Sequence, residues 1–255
     1  MFDLHCHILP GIDDGAADLE VSLAMAEAFV ADGVSVVACT PHILPGVYPN
    51  TPEQIRAATD SLQHELTLRE IPLQLVWGAD IHIVPGMARA LKSGALLPIA
   101  ETRYLLVEPP HHIAPARMDD AFFDLMLAGY VPILTHPERL RWIEHEYAMI
   151  ERLAHSGVWM QVTAGSVLGT FGSRPRYWAE RMLDEGIVHI IASDAHNMQS
   201  RPPLMAEAHA AIADWLGDEE AWDLVFTRPH GVLMDESPAS LPMPVAIGVT
   251  AEQRA

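Results

Sequence analysis

The chain has 255 residues, half of them hydrophobic, and its 34 acidic against 15 Lys and Arg side chains give a formal charge of −19. A field of that sign repels polyanions, so a nucleic-acid partner is not expected, and no apolar run approaches the roughly 18 residues that span a bilayer, so neither is membrane insertion. The only cysteines, Cys6 and Cys39, are too few for a disulfide framework, and the opening MFDLHCHILPGIDDG lacks the basic-then-apolar pattern of a secretory leader. A cytoplasmic protein is expected.

From end to end, short apolar runs alternate with longer amphipathic ones, the pattern of βα units around a parallel sheet. In chain order the strand candidates are FDLHCH, VSVVACTPH, LQLVWGADIH, RYLLVEP, VPILTH, VWMQVT and VHIIASDAH. Between the first two lies the helical DLEVSLAMAEAFVADG, closing at Gly33. After the second comes TPEQIRAATDSLQHELTLRE, which opens on a capping box from Thr51 to Gln54 with proline at the first helical position. Beyond about Asp235 the chain becomes rich in proline and small residues without a clear period. We therefore expect one barrel domain over residues 1–235 and a tail over 236–255 that drapes over the body or is disordered.

The polar residues fall in a regular place. Each apolar run continues to its C-terminal end and then delivers a polar group: His5 and His7, His42, Asp80, Glu108, His136, then Asp194 and His196. In a parallel barrel those ends share one face, where active sites form. Within LHCH, residues i and i+2 of a strand point to one side, so His5 and His7 reach a common point while Cys6 faces away. Asp14, in the loop that follows, is preferred over Asp13 as a further member. A mixed imidazole and carboxylate set suits Mn, Fe or Zn, and the lack of thiolate pairs argues against a structural zinc site. Arg139 and Arg201 each follow a candidate ligand by a few residues, placing guanidinium groups where they could fork onto phosphate.

Other chemistries are excluded. A cysteine-dependent tyrosine phosphatase needs arginine six positions after its thiolate, where Cys6 is followed by Ile12 and Cys39 by Pro45. There is no GxSxG elbow, no Walker loop and no GxGxxG after a strand.

Together, DLHCHILPGIDDG, CTPH, GADIH, LLVEPP, THPER, IIASDAHN and RPPLM resemble the polymerase-and-histidinol-phosphatase (PHP) family of metal-dependent phosphoesterases. The resemblance is closest to its bacterial manganese-dependent protein-tyrosine phosphatases of capsule and exopolysaccharide synthesis, and it runs from residue 2 to about 205. It implies a distorted TIM-like (β/α)7 barrel, in agreement with the strand candidates, and two or three metal ions, manganese first and iron or zinc as alternatives. Carried over by position, it assigns His5, His7 and Asp194 to one metal and Glu108 and His136 to a second, with Asp80 bridging the two. Asp14, His42 and His196 would hold the third. It implies glutamate where this chain has Asp80, with neighbouring His82 available to compensate. Arg139 and Arg201 would bind phosphate.

The substrate implied is a phosphotyrosine protein such as a tyrosine autokinase. A histidinol-phosphatase-like enzyme acting on a small phosphate ester, an amidohydrolase and a catalytically weakened metal-binding regulator are the alternatives. Against the amidohydrolase, the single lysine, Lys92, stands in a helix-like context and not on a mid-barrel strand. For an aromatic leaving group, Trp142, Phe171, Tyr177 and Trp178 are expected to supply an apolar wall.

Overall fold

The computed structural model describes residues 1–248; residues 249–255, the end of the expected tail, lie outside the described residues. Every strand candidate contains strand. They are β1 (Phe2–Cys6), β2 (Val36–Cys39) with β3 (His42–Leu44), β5 (Gln74–Trp77) with β6 (Asp80–His82), β7 (Tyr104–Glu108), β8 (Val131–Thr135), β9 (Trp159–Thr163) and β10 (Ile190–Ala192); a short β4 (Tyr48–Pro49) turns back on β3. Two candidates are interrupted, by Thr40–Pro41 and by Gly78–Ala79, where a proline and a glycine weaken the ladder.

One sheet has the order β1-β2-β5, and the other β10-β9-β8-β7-β6-β3-β4. All pairs are parallel except β3 with β4. The interruptions are spanned by backbone bonds from Thr40 N–H to Cys6 C=O at 2.9 Å and from Gly78 N–H to Cys39 C=O at 2.9 Å. At the other margin an isolated parallel bridge joins Cys6 to Ala195, with His7 N–H on Ala195 C=O at 2.9 Å and Asp194 N–H on His5 C=O at 2.8 Å. The architecture is α/β, with a largely parallel sheet system packed by helices.

Strand alternation sorts the core into two clusters. Leu4, Ala38, Tyr104, Leu106, Ile133, Trp159 and Ile190 share one, and Val37, Leu105, Val107, Leu134, Met160 and Val162 belong to the other, with the helices. The helices are α1 (Leu19–Ala31), α2 (Pro52–Leu68), α3 (Met87–Lys92), α4 (Met118–Leu127), α5 (Ile143–Ser156), α6 (Ala164–Leu168), α7 (Ser173–Asp184) and α8 (Met205–Leu216), with further short turns through Leu233. Asp18 caps α1 by accepting the Val21 N–H, and the capping box of α2 forms between Thr51 and Gln54. No helix among the described residues is long and apolar enough to cross a membrane. The described part of the C-terminal segment packs on the body: Leu241 is buried in the cluster of Leu4 and Trp159, and Ala246 N–H donates to Gly186 C=O.

Candidate metal centre

Strands of both sheets deliver their polar ends to one place. His5 lies in β1 with His7 just beyond it, Asp80 opens β6, Glu108 closes β7, His136 follows β8, and Asp194 and His196 follow β10. His5, His7, Asp80, His136, Asp194 and His196 are almost wholly buried. His136 and Asp194 take left-handed backbone conformations (φ +35° and +51°), uncommon for side-chain-bearing residues and a recurrent feature of functional sites.

The donors fall into overlapping sets whose ligand atoms lie within 4.8 Å of one another: His7, Asp14, His42 and His196; His5, His7 and Asp80; His5, His136 and Asp194; Glu108, His111 and His136; His42, Asp80 and Glu108. Every metal candidate expected from the sequence is in at least one set. The partition differs in detail. His7 also joins the Asp14 group, His42 also faces Asp80 at 3.2 Å and Glu108 at 3.4 Å, and His111 joins Glu108 and His136.

The residues fit metal ions. The Nε2 atoms of His5 and His7 face each other at 3.2 Å, each 3.4 Å from Asp194 Oδ1. Both oxygens of the buried Asp80 lack a hydrogen-bond partner, as do His42 Nδ1, His136 Nδ1 and His196 Nε2. Unpaired buried polar atoms cost free energy, and a shared cation satisfies many at once.

The opposite edges of three imidazoles are fixed. His5 Nδ1 bonds Gln161 Oε1 at 2.8 Å, His7 Nδ1 bonds Asp13 Oδ2 at 2.7 Å, and His196 Nδ1 bonds the Asp194 carbonyl at 2.9 Å. An acceptor at Nδ1 holds the proton there and leaves the Nε2 lone pair directed at the cluster, the usual arrangement behind metal-ligating histidines. Sequence reading missed Asp13 and Gln161 in this role. For Gln161 a signal existed, a polar residue inside the apolar run VWMQVT. The glycine of IDDG has its own reason: a Cβ on Gly15 would stand 2.1 Å from the His7 carbonyl oxygen, so only glycine lets the Asp13 loop close over His7.

Electrostatics follow from burial among opposite charges. In the absence of metal, burial disfavours the imidazolium of His7, but Asp13 and Asp194 outweigh it and push its pKa up to about 10, so a cation bound at Nε2 would take the place of a proton. Burial and the nearby Arg139 hold His136 well below its ordinary value, and burial with the adjacent His7 lowers His196 to about 4. Burial opposes the charge on Asp194, yet Arg201, His5, His7 and Arg139 together keep its carboxyl well below the usual range. Glu108 is likewise lowered against its burial, by His111, His82, His136 and His42.

Both expected arginines arrive. Arg139 and Arg201 donate to the same oxygen, Asp194 Oδ2, and the buried Nε of Arg201 has no partner. Arg139 also lies over the Phe171 ring, 4.7 Å from its centroid. The aromatic wall needs correction. Trp142 and Trp178 are core residues, drawn inward because the Trp142 indole donates to Pro110 C=O and Trp178 packs on Tyr147, while Tyr177 is exposed. Tyr48, overlooked in the sequence, stacks on His42 at 5.6 Å. Lys92 ends α3 with its side chain exposed and cannot bridge metals within the cluster.

Residues 1–234 match the family described as capsular polysaccharide synthesis, CpsB/CapC. The chain belongs to the CpsB/CapC family. It is 37% identical over 219 residues to the tyrosine-protein phosphatase YwqE of Bacillus subtilis, covering 86% of each chain. It is 29% identical over 243 residues to the tyrosine-protein phosphatase CpsB of Streptococcus agalactiae, covering 91% of this chain and 98% of the relative. A solved structure from work on YwqE of B. subtilis and CpsB of Streptococcus pneumoniae, described as unique metal-dependent tyrosine phosphatases, superposes with a TM-score of 0.90 at 35% identity, over 96% of this chain and 99% of that one. A lactonase of Listeria monocytogenes, 11% identical, superposes with a TM-score of 0.54 over 92% of this CpsB/CapC chain and 95% of its own, a likeness of fold alone.

Proposed function

We propose that this chain is a metal-dependent protein-tyrosine phosphatase acting on a tyrosine autokinase of capsule or exopolysaccharide synthesis in the cytoplasm. The observation that carries the reading is the buried cluster of imidazoles and carboxylates, in which neither oxygen of Asp80 is hydrogen-bonded, adjoined by two arginines, in a chain so similar to YwqE. His5, His7, Asp14, His42, Asp80, Glu108, His136, Asp194 and His196 are the proposed ligands, and Arg139 and Arg201 the phosphate-binding residues. Manganese is the proposed metal, iron and zinc the alternatives, in two or three sites.

Metal ions bound there supply Lewis acidity toward a phosphoryl oxygen and lower the pKa of water near neutrality. The chain's own residues do the rest. Asp13, Gln161 and the Asp194 carbonyl hold protons on the far edges of His7, His5 and His196. Arg139 and Arg201 grip phosphate oxygens, the free Nε of Arg201 offering a ready donor. Tyr48 and Phe171, beside His42 and Arg139, flank the phenyl ring of the substrate.

The fold completes the reading. With the Cys6–Ala195 bridge joining the margins, we take the strands to close as a distorted (β/α)7 barrel over residues 1–235, with 236–255 as a tail. The test is substrate preference: a phosphotyrosine peptide, a phosphoserine peptide and histidinol phosphate are offered to the manganese-loaded protein. Preference for phosphotyrosine is expected, and preference for histidinol phosphate would move the substrate to small esters.

A further inference from the structure

Glu108 is the most crowded carboxylate of the cluster. Besides His136 Nε2, 3.7 Å from Oε1, it has His111 Nε2 at 3.1 Å on the same oxygen and His82 Nδ1 at 3.5 Å on the other. His111 lies three residues after Glu108, on the loop leaving β7, and was not among the candidates expected from the sequence. Its ring centroid is 5.0 Å from that of His136, so the two imidazoles approach Glu108 side by side. Asp13 meets His7 at Nδ1, the ring edge opposite the nitrogen turned to the cluster, whereas His111 Nε2 faces the same Glu108 oxygen as His136 Nε2, and one ligand atom from each of the three lies within 4.8 Å of the others.

The loop that carries it is anchored. Arg141 N–H donates to the His111 carbonyl at 2.9 Å and the Trp142 indole to the Pro110 carbonyl at 2.9 Å, both from the segment that follows Arg139. His111 itself is only partly buried, so its ring needs no core volume to keep its place. The His136 nitrogen turned toward Glu108 is Nε2, so the Nε2 atoms of His111 and His136 face one carboxylate oxygen together.

We propose that His111 is a direct metal ligand through Nε2, completing the site of Glu108 and His136 with a second imidazole. The inference rests on the proposed metal-dependent reading and adds a residue to it. Two imidazoles and one carboxylate favour a borderline divalent ion of the manganese, iron and zinc series over magnesium or calcium.

The test uses the full-length protein stripped of metal. Manganese-binding isotherms are recorded for wild type, His111→Ala and His136→Ala, and a metal-edge anomalous map is collected on manganese-loaded wild-type crystals. The metal-free melting temperature of each variant checks the fold. The expected result is an affinity at one site weakened by about tenfold or more in His111→Ala, in the direction of His136→Ala, with an anomalous peak bonded to His111 Nε2. A weakened isotherm with the peak out of reach of His111 would overturn the inference and make His111 a positioning residue. A His111→Ala isotherm identical to wild type, with His136→Ala impaired, would overturn it as well. Failure of wild type to bind manganese would overturn the reading of the whole site, and the inference with it.

Discussion

Asp13 Oδ2 lies 2.7 Å from His7 Nδ1 and, with the same oxygen, accepts the backbone N–H of His42 at 3.1 Å. One carboxylate beside the cluster thus fixes the ring of one candidate ligand and the backbone of another, 35 positions apart in the chain if counted from His7 to His42. Its second oxygen accepts the Gly15 N–H, which closes the loop on itself.

Asp13→Asn is therefore expected to weaken metal binding by about 10- to 100-fold without unfolding the chain, because an amide in place of the carboxylate no longer fixes the His7 tautomer. Equilibrium dialysis of manganese against wild type and variant checks this. Equal affinity would make Asp13 a loop-closing residue only.

Arg139 and Arg201 both reach Asp194, and each is expected to carry substrate phosphate. Arg201→Ala should raise KM for a phosphotyrosine peptide by about tenfold or more, the scale of a charge-assisted hydrogen bond, while leaving metal content near wild type. Arg139→Ala should do the same and also release Phe171 from its cation contact. Steady-state kinetics with metal analysis on one preparation separates a phosphate contact from a loss of metal; unchanged KM would return either arginine to a structural role.

Asp80 is buried with neither oxygen hydrogen-bonded, facing His42 at 3.2 Å and His5 at 3.7 Å. Such a carboxylate is costly without a cation. Asp80→Asn is expected to melt at least as high as wild type when both are metal-free, yet to lose the rise in melting temperature that manganese gives wild type. Calorimetry with and without manganese tests both halves.

The sequence made the strands and the polar strand ends legible because both follow from periodicity: an apolar run that ends in His or Asp is a local signal. His136 and Asp194 were found this way although their backbone strain was invisible. What escaped was set by contacts across the chain. Gln161 serves His5 from 156 residues away, and Asp13, passed over in the sequence in favour of Asp14, gains its role only where the loop folds over His7. Trp142 and Trp178 carried the composition of a binding wall, but their burial is decided by helices packing on the sheet, which no local pattern specifies. Of the four expected aromatics, Phe171 does lie beside Arg139, while Tyr48 comes to His42 from the short β4, a pairing no local pattern marks.

Away from the site, His189 is buried against Trp159, its Nδ1 accepting the Met160 N–H at 3.0 Å. Burial, with Arg228 nearby, lowers its pKa from 6.5 to about 3. The unfolded chain then binds a proton that the folded chain refuses between those values. The stability tied to neutral His189 is fully present above about pH 6.5 and is lost as the pH falls toward 3, by up to about 1.4 kcal/mol per unit. His189→Asn removes the proton site, so urea melts of metal-free protein at pH 7 and pH 5 should differ less in the variant than in wild type. An equal difference would place the acid sensitivity elsewhere.

The central claim, that this cluster hydrolyses phosphotyrosine through bound metal, is tested most directly by turnover of a phosphotyrosine peptide before and after metal removal. The account predicts that the chelator-stripped protein is inactive and that manganese restores activity in wild type but not in His136→Ala. Full turnover by the stripped protein, or by His136→Ala, would contradict it.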